Sequence, residues 1–163
     1  TLTALQTCTS TLAVDVRNLS HDLHPGVLEH AGLVPVLKTH CDEFARQQQV
    51  DVTFSAGEGV GSVEGPAALC IYRVTQEALT NIGKHARAST VAVRLSRTAD
   101  VIELEVVDNG VGFQSGNDTP RGLGLRSIDE RVRFNKGAVK VESRLGQGTS
   151  VFIRVPVAAA GRD

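Results

Sequence analysis

Aromatic residues are scarce: 163 residues include no tryptophan, one tyrosine and five phenylalanines. The core must therefore be aliphatic, and a 41% hydrophobic content is enough to build one. Cysteine is nearly absent as well. Cys8, Cys41 and Cys70 are odd in number and far apart, which argues against a disulfide framework or a zinc site and fits the reducing cytoplasm. Neither sign of charge dominates. A net charge of −1 gives no broad basic surface for nucleic acid. No apolar run approaches the ~20 residues that span a bilayer, and no signal peptide or basic amphipathic stretch is visible. The chain opens on Thr1 rather than Met and is expected to be a piece of a longer protein; its length suits one domain, or one domain plus an appendage.

What is present begins with a heptad stripe. Leu2, Leu5, Thr9, Leu12, Val16, Leu19 and Leu23 alternate in spacing between three and four residues, which keeps one seam of a helix facing a partner. The stripe stops at His24-Pro25, because proline disfavours helical geometry in the residue before it. A second helix is expected from Leu33 to about Gln48, with Leu33, Val36, Leu37, His40, Cys41 and Phe44 on one face. Val50, Val52 and Phe54 alternate as a strand does. After a glycine-rich loop, a third helix should run from Pro66 to about His85, burying Cys70, Val74, Ala78 and Ile82. Two strands follow around Val91–Leu95 and Ile102–Val106, with a turn over Arg97–Asp100. The polar segment Gln114–Pro120 reads as a mobile loop. A short helix from Leu125 to about Phe134 and two strands, Val139–Ser143 and Thr149–Val155, complete the pattern. Helices beside hairpin-linked strands indicate an α+β fold, with a mixed, mainly antiparallel sheet and helices on one face. The tail after Pro156 should fray.

Two common nucleotide signatures are missing. Gly83-Lys84 lacks the earlier glycine of a P-loop, and Gly122-Leu123-Gly124 does not continue as a dinucleotide fingerprint. Four other constellations carry polar groups. Glu77, Asn81 and Lys84 recur on one helix face, where a carboxylate, an amide oxygen and an ammonium suit a site for Mg²⁺ and phosphates; the same spacing also describes a solvated face with a Glu–Lys pair. Asp108-Asn109-Gly110-Val111-Gly112 puts an acid at a strand end and glycines where backbone approaches closely, or is a plain turn. Gly122-Leu123-Gly124 before a helix can expose amides to an anion, or is an ordinary junction. Gly146-Gln147-Gly148-Thr149 taken alone is a hairpin turn.

Their order on helix, strand end, loop-to-helix and hairpin resembles the GHKL ATPase superfamily, which includes type II topoisomerases, heat-shock chaperone ATPases, mismatch-repair ATPases and histidine kinases. Within it the chain is most similar to sensor histidine kinases of the nitrate-sensor type. Gln76-Glu77-Ala78-Leu79-Thr80-Asn81 through Ala86 looks like their asparagine box. Leu23-His24-Pro25 with Gly32-Leu33 looks like the junction between bundle and catalytic domain, and Gly124 through Val132 like the stretch after the lid.

The resemblance implies a Bergerat-type two-layer α/β sandwich over residues 25–157. Residues 1–24 would be a remnant of the dimerisation helix and 158–163 a tail. It implies ATP and Mg²⁺ as ligands. Asn81 would hold the metal, Glu77 would orient or deprotonate the attacking group, and Lys84 and His85 would meet phosphate. Asp108 would bind adenine in a pocket shaped by Gly110 and Gly112. Gly122 and Gly124 would hinge the ATP lid, with Leu123 between them also at the ATP site, and Thr149 would support the adenine side. Gly83 departs from the bulky apolar residue more usual there. His21-Asp22 has the look of a phosphoacceptor box, but the resemblance puts the acceptor on a preceding helix outside this chain. The implied partners are a response-regulator receiver domain and a second copy joined through the missing bundle; the chain alone is expected to be a monomer. A GHKL serine kinase of the anti-sigma type is the alternative, against which the heptad helix and the Leu-His-Pro junction speak.

Overall fold

In the computed structural model, residues 25–114 and 122–157 are described. The heptad stripe, His21, most of the Gln114–Pro120 loop and the tail from 158 lie outside the described residues.

The chain runs α1 (Pro25–Ala31), α2 (Leu33–Gln48), β1 (Asp51–Ala56), a short 3₁₀ turn (Val60–Ser62), α3 (Gly65–Asn81), a π-turn (Ile82–Ala86), β2 (Thr90–Thr98), β3 (Val101–Asp108), α4 (Leu123–Phe134), β4 (Ala138–Arg144) and β5 (Gly148–Pro156). The five strands form one sheet in the order β1-β2-β3-β5-β4. β1 is parallel to β2, and the other pairs are antiparallel. The α+β expectation of a mixed, mainly antiparallel sheet is met.

Strand side chains alternate between faces, and this decides where the core sits. Val91, Val93 and Leu95 of β2, Ile102, Leu104 and Val106 of β3, and Val151, Ile153 and Val155 of β5 are all buried. The intervening Arg94, Glu103, Glu105 and Arg154 form ion pairs on the opposite face, Arg94–Glu105 at 2.8 Å and Arg154–Glu103 at 2.9 Å. A shallow trough of about 480 Å³ lined by Arg94, Ser96, Glu103, Glu105 and Phe152 lies on that charged face. The helices therefore cover one face only. Leu33, Leu37, Cys41 and Phe44 come from α2, Ile71, Val74, Ala78 and Leu79 from α3, and Ile128 and Val132 from α4. This is the two-layer arrangement in which each amphipathic element buries its apolar side once.

Three boundaries differ from the sequence expectation. The third helix does not continue as α-helix to His85: it ends at Asn81 and widens into the π-turn. The short helix begins at Leu123, not Leu125, so Gly124 lies inside its first turn. β2 and β3 extend so far that only Ala99 and Asp100 separate them, with Ala99 at φ +40°. Pairing in the sheet outweighed the local turn preference of Arg97 and Thr98.

Candidate functional site

Asp108 ends β3. It is directly opposite Val91 of β2 and Thr149 of β5, and Thr149 is in turn opposite Ser143 of β4. Directly paired residues share a face, so Asp108, Thr149 and Ser143 form one polar row at the edge of the apolar layer, on the helix side. The inward stripes of β3, β5 and β4 change from hydrophobic to polar at this end of the sheet, whereas β2 keeps the buried Val91 beside Asp108. Asp108 is only 4% exposed. Burial pushes its carboxyl above the usual range, while the backbone N–H groups of Gly110 and Thr149 pull it partly back. The Gly110 N–H donates to Asp108 Oδ1 at 2.8 Å. A desolvated carboxylate held this way is an acceptor set for a neutral N–H donor such as an exocyclic amine.

The glycines around it answer to packing. A Cβ on Gly110 would overlap the Ala86 carbonyl, and one on Gly112, at φ +59°, would overlap the Arg144 carbonyl. One on Gly148 would overlap the Asp108 carbonyl. Three glycines let the Asp108 strand end, the π-turn and the β4–β5 hairpin close onto one another backbone to backbone. Val111 N–H donates to Ala86 O at 2.7 Å, and Gly146 N–H to Val111 O at 2.7 Å.

Glu77 and Asn81 occupy the last turns of α3, half-buried. Gly124, in the first turn of α4, faces them: a Cβ there would overlap Glu77 Oε1 and come within 2.7 Å of Asn81 Nδ2 and 2.8 Å of its Oδ1. α4 starts without a side-chain cap and without an acidic residue in its first turn. Its free N–H groups and dipole therefore favour an anion. Lys84 and His85 lie on the π-turn, exposed to solvent. Gly122, the N-cap, has open space around it, and the Leu123 side chain is 86% exposed. Gly83 is packed against α2: a Cβ would come within 3.3 Å of Phe44 Cε2 and Gln48 Cδ, a local reason for the departure from a bulky residue.

The four sequence constellations thus meet through a chain of contacts. Gly124 abuts Glu77 and Asn81; the π-turn carries Asn81 to Ala86, which docks on Gly110 and Val111; and Gly112 and Gly148 close the hairpin onto Asp108. Two further residues did not stand out from sequence. Asn109 Oδ1 accepts from the Ser89 and Thr90 N–H groups at 2.9 and 3.0 Å, and its Nδ2 donates to Ser89 Oγ at 2.8 Å, latching the start of β2. Ser143 is buried and bonded to three partners. Its signal was legible: it ends the inward series Val139, Val141, Ser143 with a hydroxyl. Cys41 and Cys70 are buried in the core, their thiols pushed up to about 12 and about 11 by desolvation, so neither is a nucleophile. Among the described residues no group of three or more His, Cys, Asp or Glu could hold a metal, and no helix is long and apolar enough to cross a membrane.

Comparison with known proteins agrees with this geometry. The chain is 35% identical over 149 residues to the oxygen sensor histidine kinase NreB of Staphylococcus carnosus, covering 91% of this chain and 43% of that protein. It is 34% identical over 148 residues to the sensor histidine kinase MctS of Rhizobium johnstonii, covering 89% of this chain and 32% of that protein. It therefore spans less than half the length of either relative. Among solved structures, the histidine kinase domain of the blue-light activated histidine kinase of Erythrobacter litoralis EL346 superposes with a TM-score of 0.64 at 26% identity, over 77% of this chain and 61% of that one. Residues 67–159, more than half of the chain, match the model for histidine kinase-, DNA gyrase B- and HSP90-like ATPases. The match takes in Glu77, Asn81, Asp108, Gly124, Ser143 and Thr149 together with the glycines that pack around them, and the chain belongs to that ATPase family.

Proposed function

We propose that this chain is the catalytic part of a nitrate-sensor-type two-component histidine kinase, which binds Mg-ATP and passes the γ-phosphoryl group to a histidine. The phosphoryl group would then go to an aspartate on a response-regulator receiver domain. The observation that carries this reading is the contact of Gly124 with Glu77 and Asn81, one π-turn away from the buried Asp108. It puts an amide, a carboxylate and free helix N–H groups at one end of a site and an amine-accepting carboxylate at the other. That spread suits phosphates and adenine respectively.

Residues 25–157 are the ATP-binding unit in this reading, and 1–24 belong to a bundle through which two copies of the whole protein pair. Asp108 accepts from adenine's amine, with Thr149 beside it and Gly110 and Gly112 shaping the wall. Lys84, His85 and the α4 start at Gly122, Leu123 and Gly124 face phosphate. Asn81 suits Mg²⁺ through its amide oxygen, a hard ligand that leaves the remaining positions to phosphates and water. When bound, the cation neutralises phosphate charge. Glu77 orients the attacking imidazole and takes up its ring proton while the bond from phosphorus to the ADP oxygen breaks and the new N–P bond forms; positioning supplies most of the rate. The site would work in the cytoplasm, where ATP and a receiver domain are available.

Calorimetry of the chain with ATP and GTP, with and without Mg²⁺, tests the binding half. ATP should bind in a Mg²⁺-dependent way and GTP far more weakly, because guanine would set its carbonyl oxygen against the Asp108 carboxylate. Equal affinity for both nucleotides would overturn the reading.

A further inference from the structure

Ser143 has no task in the reading above, yet its hydroxyl is fully used. It accepts from the Phe113 N–H at 2.8 Å, donates to Gly148 O at 3.0 Å, and lies 2.9 Å from Thr149 Oγ1. One hydrogen and two lone pairs serve those three neighbours. The bonds join two things that the sequence keeps apart. One is the Val111–Phe113 stretch leaving Asp108; the other is the first residues of β5, including Thr149. Asp108 Oδ1 fixes the near end of that stretch through Gly110 N–H, and Ser143 Oγ fixes its far end through Phe113 N–H. Thr149 stands between these two side chains in the sheet row.

We infer that Ser143 is a positioning residue for nucleoside selection, holding the Thr149 hydroxyl and the Val111–Phe113 wall in register with Asp108. The inference rests on Asp108 being the adenine acceptor. Adenine and guanine differ in their donors and acceptors at the edge facing such a row. Discrimination needs the acceptors fixed relative to one another, because a row that can shift finds compromise contacts with the wrong base. A hydroxyl that contributed only to folding would leave base preference untouched.

The test uses the full chain with Ser143→Ala, Ser143→Cys and Ser143→Thr, measured by calorimetry with ATP and with GTP, beside Asp108→Ala. Loss of one hydrogen-bonding hydroxyl should weaken ATP binding about fivefold to tenfold in the Ala and Cys variants. The ATP-to-GTP affinity ratio should fall with it, and Thr should restore both. Amide exchange should quicken at Phe113 and stay slow at Val111, whose partner is the Ala86 carbonyl. Should Ser143→Ala fail to fold, Ser143→Cys keeps the volume, and Thr149→Val removes the shared contact from the other side with the same expected loss of preference. An unchanged ATP-to-GTP ratio in the variants that fold overturns the inference. If Asp108→Ala also binds ATP as the parent does, the adenine assignment itself is wrong; if Asp108→Ala loses binding while the Ser143 variants do not, only the role of Ser143 falls.

Discussion

Gly124→Ala separates a structural glycine from one required by the site. A Cβ at this position would lie 2.7 and 2.8 Å from the two terminal atoms of Asn81 and would overlap Glu77 Oε1. These are the far ends of flexible side chains, so the clash is relieved by rotating them at about 0.5–1.5 kcal/mol for an off-rotamer χ. Alanine in a helix returns up to about 1 kcal/mol against glycine. The two terms nearly cancel, and thermal stability should stay within about 1 kcal/mol of the parent. Binding should not be spared. The atoms that must move include the proposed Mg²⁺ ligand, and disturbing the support of a ligand typically costs about 10–100-fold in affinity, or about 1.4–2.7 kcal/mol. Denaturant melts paired with Mg-ATP calorimetry would show the split. Gly122→Ala, whose Cβ meets nothing within 4 Å, should lose the less of the two. Unchanged Mg-ATP affinity in Gly124→Ala would refute the argument that this glycine keeps Asn81 and Glu77 in place.

Gly110→Ala should behave in the opposite way: its Cβ overlaps backbone at Ala86, and a denaturant melt should register a loss of about 3 kcal/mol. Asp108 should give two opposed pH effects. Its raised pKa means that its contribution to stability is present below the ordinary carboxylate range and lost as pH rises through the raised native value. The stabilisation gained by Asp108→Asn, followed by thermal melts, should therefore grow as pH rises above the ordinary aspartate range, from about pH 4 upward. ATP affinity, which needs the ionised form, should fall on acidification at a higher pH than an ordinary aspartate would give; a fall confined to the ordinary range would contradict it. In the whole protein, if it is the proposed kinase, Glu77→Gln should keep nucleotide affinity and lose turnover, whereas Asn81→Ala should lose Mg²⁺-dependent binding; equally poor binding in both would remove the division of roles. The chain alone, incubated with radiolabelled ATP, should acquire no acid-labile label, and label on His21 would make that residue the acceptor.

Much of this was legible in the residues. Period-two alternation fixed which side chains of β2, β3 and β5 face the core, because pleating leaves no other choice. The apolar faces at Leu33–Gln48 and Cys70–Ile82 located α2 and α3, because burial of such a face requires a helix. The polar constellations were visible as residue types in order, and an aspartate closing an apolar stripe signals a site whatever the fold. Sequence could not say that β5 enters the sheet between β3 and β4. That choice depends on long-range pairing, which no local propensity encodes, and it alone sets Asp108 opposite Thr149 and Thr149 opposite Ser143. Nor could it tell what each glycine is for. Gly110, Gly112 and Gly148 look like loop residues in a string of letters; their neighbours are carbonyls 24 to 40 residues away in the chain, and only the closed backbone shows that no side chain fits there. The π-turn is of the same kind. Helical periodicity ran on past Asn81, but docking of Ala86 onto Gly110 and Val111 outweighed it, since a buried backbone contact between two segments is worth more than the small preference of five residues for a regular helix.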